Sequence, residues 1–437
     1  MLLLVWHVGR CSKVVAHLRD VAVCRDGLAG VARVQRGLAA VSMAEEWTEG
    51  WWVALVCVLG QPSEVRRRAA WEAVAGTAVT GAARLEWAEV EARVRAVETR
   101  LVGSAGALGA GGAVRVWTEE EVVETAARGG EVDLGGMEVE LTRVVVVKGV
   151  NKAATIRNGT LRVSTVNAEM GNGLALVVEN GGGLRLECMR VVGTGVSCKG
   201  GGRVTLVDTH LTDAPMLGVA SVNAGSKVVV HRGCIAGAMK YHGVFCGKGG
   251  QVELVDVEIA DCKNSGVVSV GQGSKVVMQG GRITGSKEEH GVGCQEGGQV
   301  ELRGVEVADC KGCGVVSLGQ GSKVVMRGGC ITGSKEEHGV GCKMGGYVEL
   351  RDVEVADCKM SGVISQSQGS KAVMQGGCIT GCKEGFGLGC REGGHAEVRD
   401  VVIRDCNRHG LYCDSVSTLR HSGCTVSGCG LGSQDGC

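Results

Sequence analysis

GSKVVV (Gly225–Val230) returns as GSKVVM at Gly273, as GSKVVM at Gly321 and as GSKAVM at Gly369, a spacing of 48 residues. Midway between these fall GGQVEL at Gly249, GGQVEL at Gly297, GGYVEL at Gly345 and GGHAEV at Gly393, so the unit is 24 residues in two alternating flavours. Each unit holds short runs of alternating Val, Leu and Ile, divided by Gly and polar turns. That is strand periodicity without a helical stretch. A unit this short cannot bury a hydrophobic face by itself and must stack on its neighbours. The expectation is a mainly β solenoid with coils of about 24 residues.

The rest of the composition bounds what surrounds this array. A chain of 437 residues has room for two domains, and 75 Gly with only 2 Pro suits many tight turns. The formal net charge of zero gives no global field to attract nucleic acid or membrane. The opening MLLLVWHVGR has a five-residue apolar run with no basic residue before it, too short for a secretion signal or a bilayer span. With 22 cysteines in a long chain, the expectation is an intracellular protein with mostly free thiols; secretion is the alternative if the N-terminus is incomplete.

Residues 1–102 read as a small α-helical region. All seven Trp lie at or before Trp117, so composition changes sharply there. LVCVL (Leu55–Leu59), a GQPS break and EVRRRAAWEAVA (Glu64–Ala75) form helix, turn and helix, and this stretch resembles one armadillo/HEAT-type repeat. Residues 84–101 space Trp87, Val90, Val94, Val97 and Leu101 as a helix stripe. GSAGALGAGG (residues 103–112) is a flexible linker by composition.

The β region is expected over residues 113–437. Thr118 with Glu121 reads as a capping box opening a helix that ends at Gly129-Gly130. Strands are expected at 131–134, 137–141, 143–147, 154–156 and 160–163. A capping helix followed by GGEVDLGG and IRNGTLRV resembles the entry of right-handed parallel β-helix proteins, the pectin lyase-like superfamily. The resemblance implies about a dozen stacked coils, roughly 4.8 Å apart. The last copy fades through residues 415–429 with no capping helix, so an open sheet end and self-association through it are expected.

Stacking turns the repeat into ladders. Lys263, Lys287, Lys311, Lys335, Lys359 and Lys383 should line one edge, the footprint of a polyanion site. Asp261, Asp309 and Asp357 precede alternate lysines, and Glu288, Glu289, Glu336, Glu337 and Glu384 follow the others, so a solvated turn face is the blander reading. Cys262, Cys310, Cys358 and Cys406, with Ser286, Ser334 and Cys382 between them, read as an inward ladder. Cys246, Cys294, Cys342 and Cys390 form a second column with members two coils apart, too far for disulfides with one another. Cys313 reads as a turn thiol that should react early.

His242, His290 and His338 each precede Gly at intervals of 48, and Phe386 takes the next place. The resemblance invites comparison with the His-Gly of polygalacturonases, but the Asn-Thr-Asp, Asp-Asp and Arg-x-Lys that accompany it there are missing here. Because successive histidines are two coils apart, they cannot share a metal ion. Asp352 with Asp400, and Asp357 with Asp405, are likewise two coils apart rather than clustered as a calcium site or an acid pair needs.

The lysines and histidines are therefore the candidate binding residues, with no catalytic residue, metal or cofactor expected. The first expectation for function is a non-catalytic repeat scaffold presenting its ladders to a protein or glycan partner. The alternative is a carbohydrate-active lyase, hydrolase or epimerase on polyuronate-like glycans. A third is an F-box-type adaptor, although no Leu-Pro opening of that kind is visible.

Overall fold

The computed structural model describes residues 116–163 and 174–430. The expected helical region at 1–102, its armadillo-like stretch and the linker at 103–112 lie outside the described residues.

The helix Glu119–Arg128 opens the described chain. Thr118 caps it, accepting from the Glu121 amide while the Glu121 carboxylate accepts from the Thr118 amide, and Gly129 closes it at φ 84. Val122 and Ala126 turn its buried face onto the first coil, and the Trp117 indole N–H donates to the Asp133 carbonyl at 2.7 Å. The helix covers backbone that would otherwise be an exposed sheet end.

Behind it the chain winds into a parallel β-helix. One sheet of 16 strands and one of 12 run along it, each strand pairing in parallel with those of the coils before and after. The 12-stranded sheet counts the turns: 12. A regular coil holds a ten-residue strand such as Lys275–Thr284, a turn, a four-residue strand such as Val292–Gln295, and a second turn.

The long strands correct one detail of the sequence reading. The runs expected separately at 154–156 and 160–163 belong to one strand, Ala153–Arg162, bent at Asn158 with φ 58. The same left-handed bend recurs at Asp256, Gly280, Gly304, Gly328, Asp352 and Gly376. Short polar residues and glycine are those that tolerate this conformation.

The bends and turns also explain the spaced aspartates. Asp309 (φ 56) and Asp357 (φ 54) sit in left-handed turns, and a methyl group on Gly333 or Gly381 of the next coil would come within 2.9 or 2.8 Å of the aspartate oxygen. Asp352 is placed the same way over Gly376. At these positions aspartate on one coil packs over glycine on the next, and the two-coil spacing of these acids follows from that packing; earlier in the ladder Asp208 is followed instead by Arg232, which takes the same left-handed bend and pairs with its carboxylate.

Inside, the coils stack like on like. Val300, Leu302 and Val307 are buried, as are their counterparts above and below, and buried Val305 stacks on Gly329. Cys246, Cys294 and Cys342 alternate with Ser221, Ser269 and Ser317 in register. The Cys294 thiol donates to the Gly298 carbonyl at 2.8 Å, and burial pushes it up to about 12. Cys262, Cys310, Cys358, Cys382 and Cys406 point inward too, with Ser286 and Ser334 between them. Cys413 is disulfide-bonded.

One compensation between turns matters for the site. The turn at 285–291 is one residue longer than its partner at 309–314, and the turn at 296–298 is one shorter than that at 319–322. The long strands therefore repeat every 24 residues, but short-strand partners are offset alternately by 23 and 25, as in Val292 to Val315 to Val340.

Candidate functional site on the outer face of the short-strand sheet

The lysine ladder occupies the turn that leads into the short strands. Lys263 reaches Glu288 at 3.7 Å and Lys311 reaches Glu336 at 3.9 Å, each across to the next coil. Lys287, Lys335 and Lys383 are exposed, while Lys311 and Lys359 are half-buried. The turns are tied coil to coil through their backbones, Lys287 N–H to Cys262 and Lys311 N–H to Ser286 among them. This is a solvated turn face with acids interleaved, and exposed pairs of this kind add little stability.

Three residues further on, the environment changes. The glycine before each short strand donates its N–H to the next coil, Gly266 to His290, Gly291 to Cys313, Gly314 to His338, Gly339 to Ser361 and Gly362 to Phe386. Those bonds set one column: His242, Ser265, His290, Cys313, His338, Ser361, Phe386, His409. The histidines are two coils apart as expected, and the 23-residue offset sets a serine or cysteine of the intervening coil between them.

The column repeats a local pattern. A ring nitrogen of His242 accepts the Ser265 amide at 3.3 Å, His290 accepts Cys313 at 3.0 Å, and His338 accepts Ser361 at 3.1 Å. In the first copy the Ser265 hydroxyl donates to Glu289 at 3.0 Å, and in the second the Cys313 thiol donates to Glu337 at 3.0 Å. The third copy has Gly385 and Phe386 where the glutamate turn would continue, and the Ser361 hydroxyl instead accepts the Phe386 amide at 3.1 Å. Only the middle copy joins imidazole, thiol and carboxylate.

Burial sets the charge states. Cys313 is fully buried, so it is the opposite of the reactive turn thiol expected; burial and the neighbouring Glu337 carboxylate push its ionisation well up. His242 and His290 are lowered by burial, and His338 falls to about 4 through burial and the Lys343 ammonium, so all three are neutral at pH 7. Burial alone would raise Glu337, but the Cys313 hydrogen bond and Lys343 at 3.4 Å outweigh it, and the carboxyl stays ionised.

The strand beside the column completes the face. Its outward positions run Phe245, Val268, Gly293, Val316, Gly341, Ile364, Gly389 and Tyr412, followed by Gln295, Leu318, Lys343, Gln366 and Arg391. Val268, Val316 and Ile364 are buried there, and solvent reaches the strip along the second row and at Phe245 and Tyr412. Gly341 makes room for its neighbours: a methyl group there would come within 3.2 Å of the Cys313 sulfur and 3.7 Å of the Lys343 side chain. Toward the C-terminal coils Phe386 and Tyr412 stack at 4.2 Å, nearly parallel, with the Arg391 guanidinium 4.9 and 5.3 Å from the two rings. Rings, cations and a carboxylate thus share one strip.

Sequence reasoning found the histidines and missed Ser265, Cys313, Glu337, Lys343 and Arg391 as their neighbours. The signal was present: aligning the coils on Gly291, Gly314, Gly339 and Gly362 sets His290, Cys313, His338 and Ser361 in line. A strict 24-residue count hides it.

With the geometry in place, the comparisons with known proteins bear on the fold. The family of right-handed β-helix regions matches residues 290–436, so the winding is that of a right-handed parallel β-helix. No curated protein matches the chain. Among solved structures, the catalytic unit of a thermostable GH87 α-1,3-glucanase from Streptomyces thermodiastaticus is 14% identical, covers 72% of this chain and 67% of its own, and superposes with a TM-score of 0.50. A periplasmic alginate epimerase is 12% identical over 68% of this chain and 74% of its own, with a TM-score of 0.46. The Dettilon tailspike protein is 10% identical over 71% and 64%, with a TM-score of 0.41. Carbohydrate-active enzymes and a tailspike are thus among the structural neighbours, and at such identities the likeness is one of fold alone. Among the described residues, no helix is long and apolar enough to cross a membrane.

Proposed function

We propose that this chain is a carbohydrate-active β-helix protein that takes an extended acidic glycan along the outer face of its short-strand sheet. The observation that carries this reading is the strip itself, in which neutral His338 and Lys343 share one coil and Arg391 stands two coils further on. An arginine fork and an ammonium each suit a uronate carboxylate, and two cations two coils apart suit separate carboxylates of an extended chain. Unprotonated at pH 7, the His338 imidazole has a lone pair to accept the proton beside such a carboxylate, and the neighbouring ammonium stabilises the charge that develops. The two carboxylates of the strip, Glu289 and Glu337, are two coils apart, so base-driven lyase or epimerase chemistry fits better than hydrolysis by a facing acid pair.

The non-catalytic scaffold is the second reading, favoured by the repetition of the His–Ser/Cys unit, since a unique active site has no need of copies. Incubating the full chain with polygalacturonate, alginate and a neutral glucan separates the two. The enzyme reading expects unsaturated ends or solvent deuterium at the sugar carbon from one polyuronate, lost at least 100-fold in His338→Gln. Tight polyuronate binding without either product supports the scaffold, and absence of both binding and product rejects the glycan strip altogether.

A further inference from the structure

The thiol, imidazole and carboxylate of the middle copy belong to three different coils, and the fold brings them together. A His290 ring nitrogen, the Cys313 sulfur and a Glu337 oxygen all lie within 4.8 Å of one another. Ligand atoms around a tetrahedral ion at ordinary Zn–N, Zn–O and Zn–S lengths stand about 3.5 Å apart. The sulfur and the carboxylate oxygen, joined by the thiol proton at 3.0 Å, open to that spacing when the proton leaves, and rotation of the His290 side chain completes the triad.

We propose that His290, Cys313 and Glu337 form a binding site for a single borderline-soft divalent ion, with Zn2+ the best match. The proposal does not rest on the glycan reading, although the site meets the strip at Glu337 and Lys343. The donor set selects the ion: a thiolate and an imidazole disfavour Ca2+ and Mg2+, which take oxygen ligands, and one carboxylate completes a nitrogen–oxygen–sulfur triad. Charge supports it as well. Removing the Cys313 proton sets a thiolate against an ionised carboxylate in a buried place, and a divalent ion is what neutralises that pair. Binding therefore releases one proton for each ion taken up. Cys313 lies at the bottom of the site, while Glu337 keeps about 40% of its side chain in solvent, which provides entry and a fourth coordination position. The ion displaces two weaker partners, the Cys313 amide from the imidazole and Lys343 from Glu337.

The neighbouring copies are built-in controls. The first copy, His242–Ser265–Glu289, has the same hydrogen bonds with a hydroxyl in place of the thiol, and no lysine stands at position 295. Cys313→Ser gives the middle copy the residue found at 265 and 361, so the fold is kept.

The test is a Co2+ titration of the reduced, chelator-stripped full chain, read by thiolate-to-cobalt charge-transfer absorbance and reversed by Zn2+. One ion per chain is expected, with one proton released. The band is lost in Cys313→Ser and weakened at least tenfold in His290→Gln and Glu337→Gln. It is unchanged in Cys188→Ser, which removes an exposed cysteine. Lys343→Met tightens binding by removing the competing cation, and Ser265→Cys raises the stoichiometry to two. A wild-type chain without the band, a band that survives Cys313→Ser, or a stoichiometry that Ser265→Cys leaves at one would each overturn the proposal.

Discussion

The lysine turns and the buried columns beside them arise from the same 24-residue unit and end in opposite environments. Lys263 and Lys311 reach glutamates across solvent at 3.7 and 3.9 Å. A few residues on, Cys313 is fully buried against Glu337, and Cys342 is sealed in the core. Repetition in sequence therefore says little about role. What separates the two is burial: a charge repeated on a solvated turn is interchangeable, whereas a polar group repeated in a dry column must find a partner on the next coil.

The largest expected effect concerns the buried thiols. Cys246, Cys294, Cys342 and Cys390 are pushed up to about 11, 12, 12 and 12 by burial, against about 8.5 in the unfolded chain. Above pH 8.5 the unfolded state sheds thiol protons that the folded state keeps, so stability falls as pH rises, by about 1.4 kcal/mol per pH unit for each thiol. Urea midpoints measured from pH 8 to 10.5 should drop steeply, and replacing Cys294 and Cys342 with serine should flatten the slope. A profile insensitive to those replacements would mean that the column is not as dry as described.

Next comes the glycine that joins turn to strand. A methyl group on Gly339 would meet the Val355 side chain at 2.5 Å, the Cys358 sulfur at 2.7 Å and the Gly362 carbonyl at 2.7 Å. Gly339→Ala should cost about 2–3 kcal/mol in denaturant unfolding. A smaller effect is expected at the left-handed turns. Asp309→Ala should cost about 1 kcal/mol for its positive φ, whereas Asp309→Gly should be close to neutral, because Gly285 and Gly333 hold the equivalent turns of the adjacent coils. The smallest effect belongs to the lysines: Lys335→Ala should stay within about 0.5 kcal/mol. A lysine substitution that matched Gly339→Ala would erase the distinction between the two regions.

These particulars also show how far the sequence could be read. The 24-residue unit, the capped helix at Thr118, the inward cysteines and the neutralised lysine turn were all legible, because each depends on local spacing and stacking. The bend that fuses two expected runs into one strand was not, because Asn158 and Asp256 carry no pattern that separates a bend from a break. Cys313 was misread as an exposed turn thiol. Its burial depends on a one-residue difference between successive turns, and on His290, Val316 and Lys343 closing around it from three coils. The acid spacing at Asp352 and Asp400 was visible, but its cause, the glycine beneath each carboxylate, appears only with the coils stacked.

The central claim is that function lies in the histidine column and its outward neighbours, not in the lysine ladder. Polyuronate affinity of two multiple variants tests it most directly, one carrying Lys287→Gln, Lys335→Gln and Lys383→Gln, the other His338→Gln, Lys343→Gln and Arg391→Gln. The account predicts less than a twofold change for the lysine-turn variant and a loss of at least tenfold for the column variant, both remaining folded by circular dichroism. Loss of affinity in the turn variant with the column variant unaffected would contradict it.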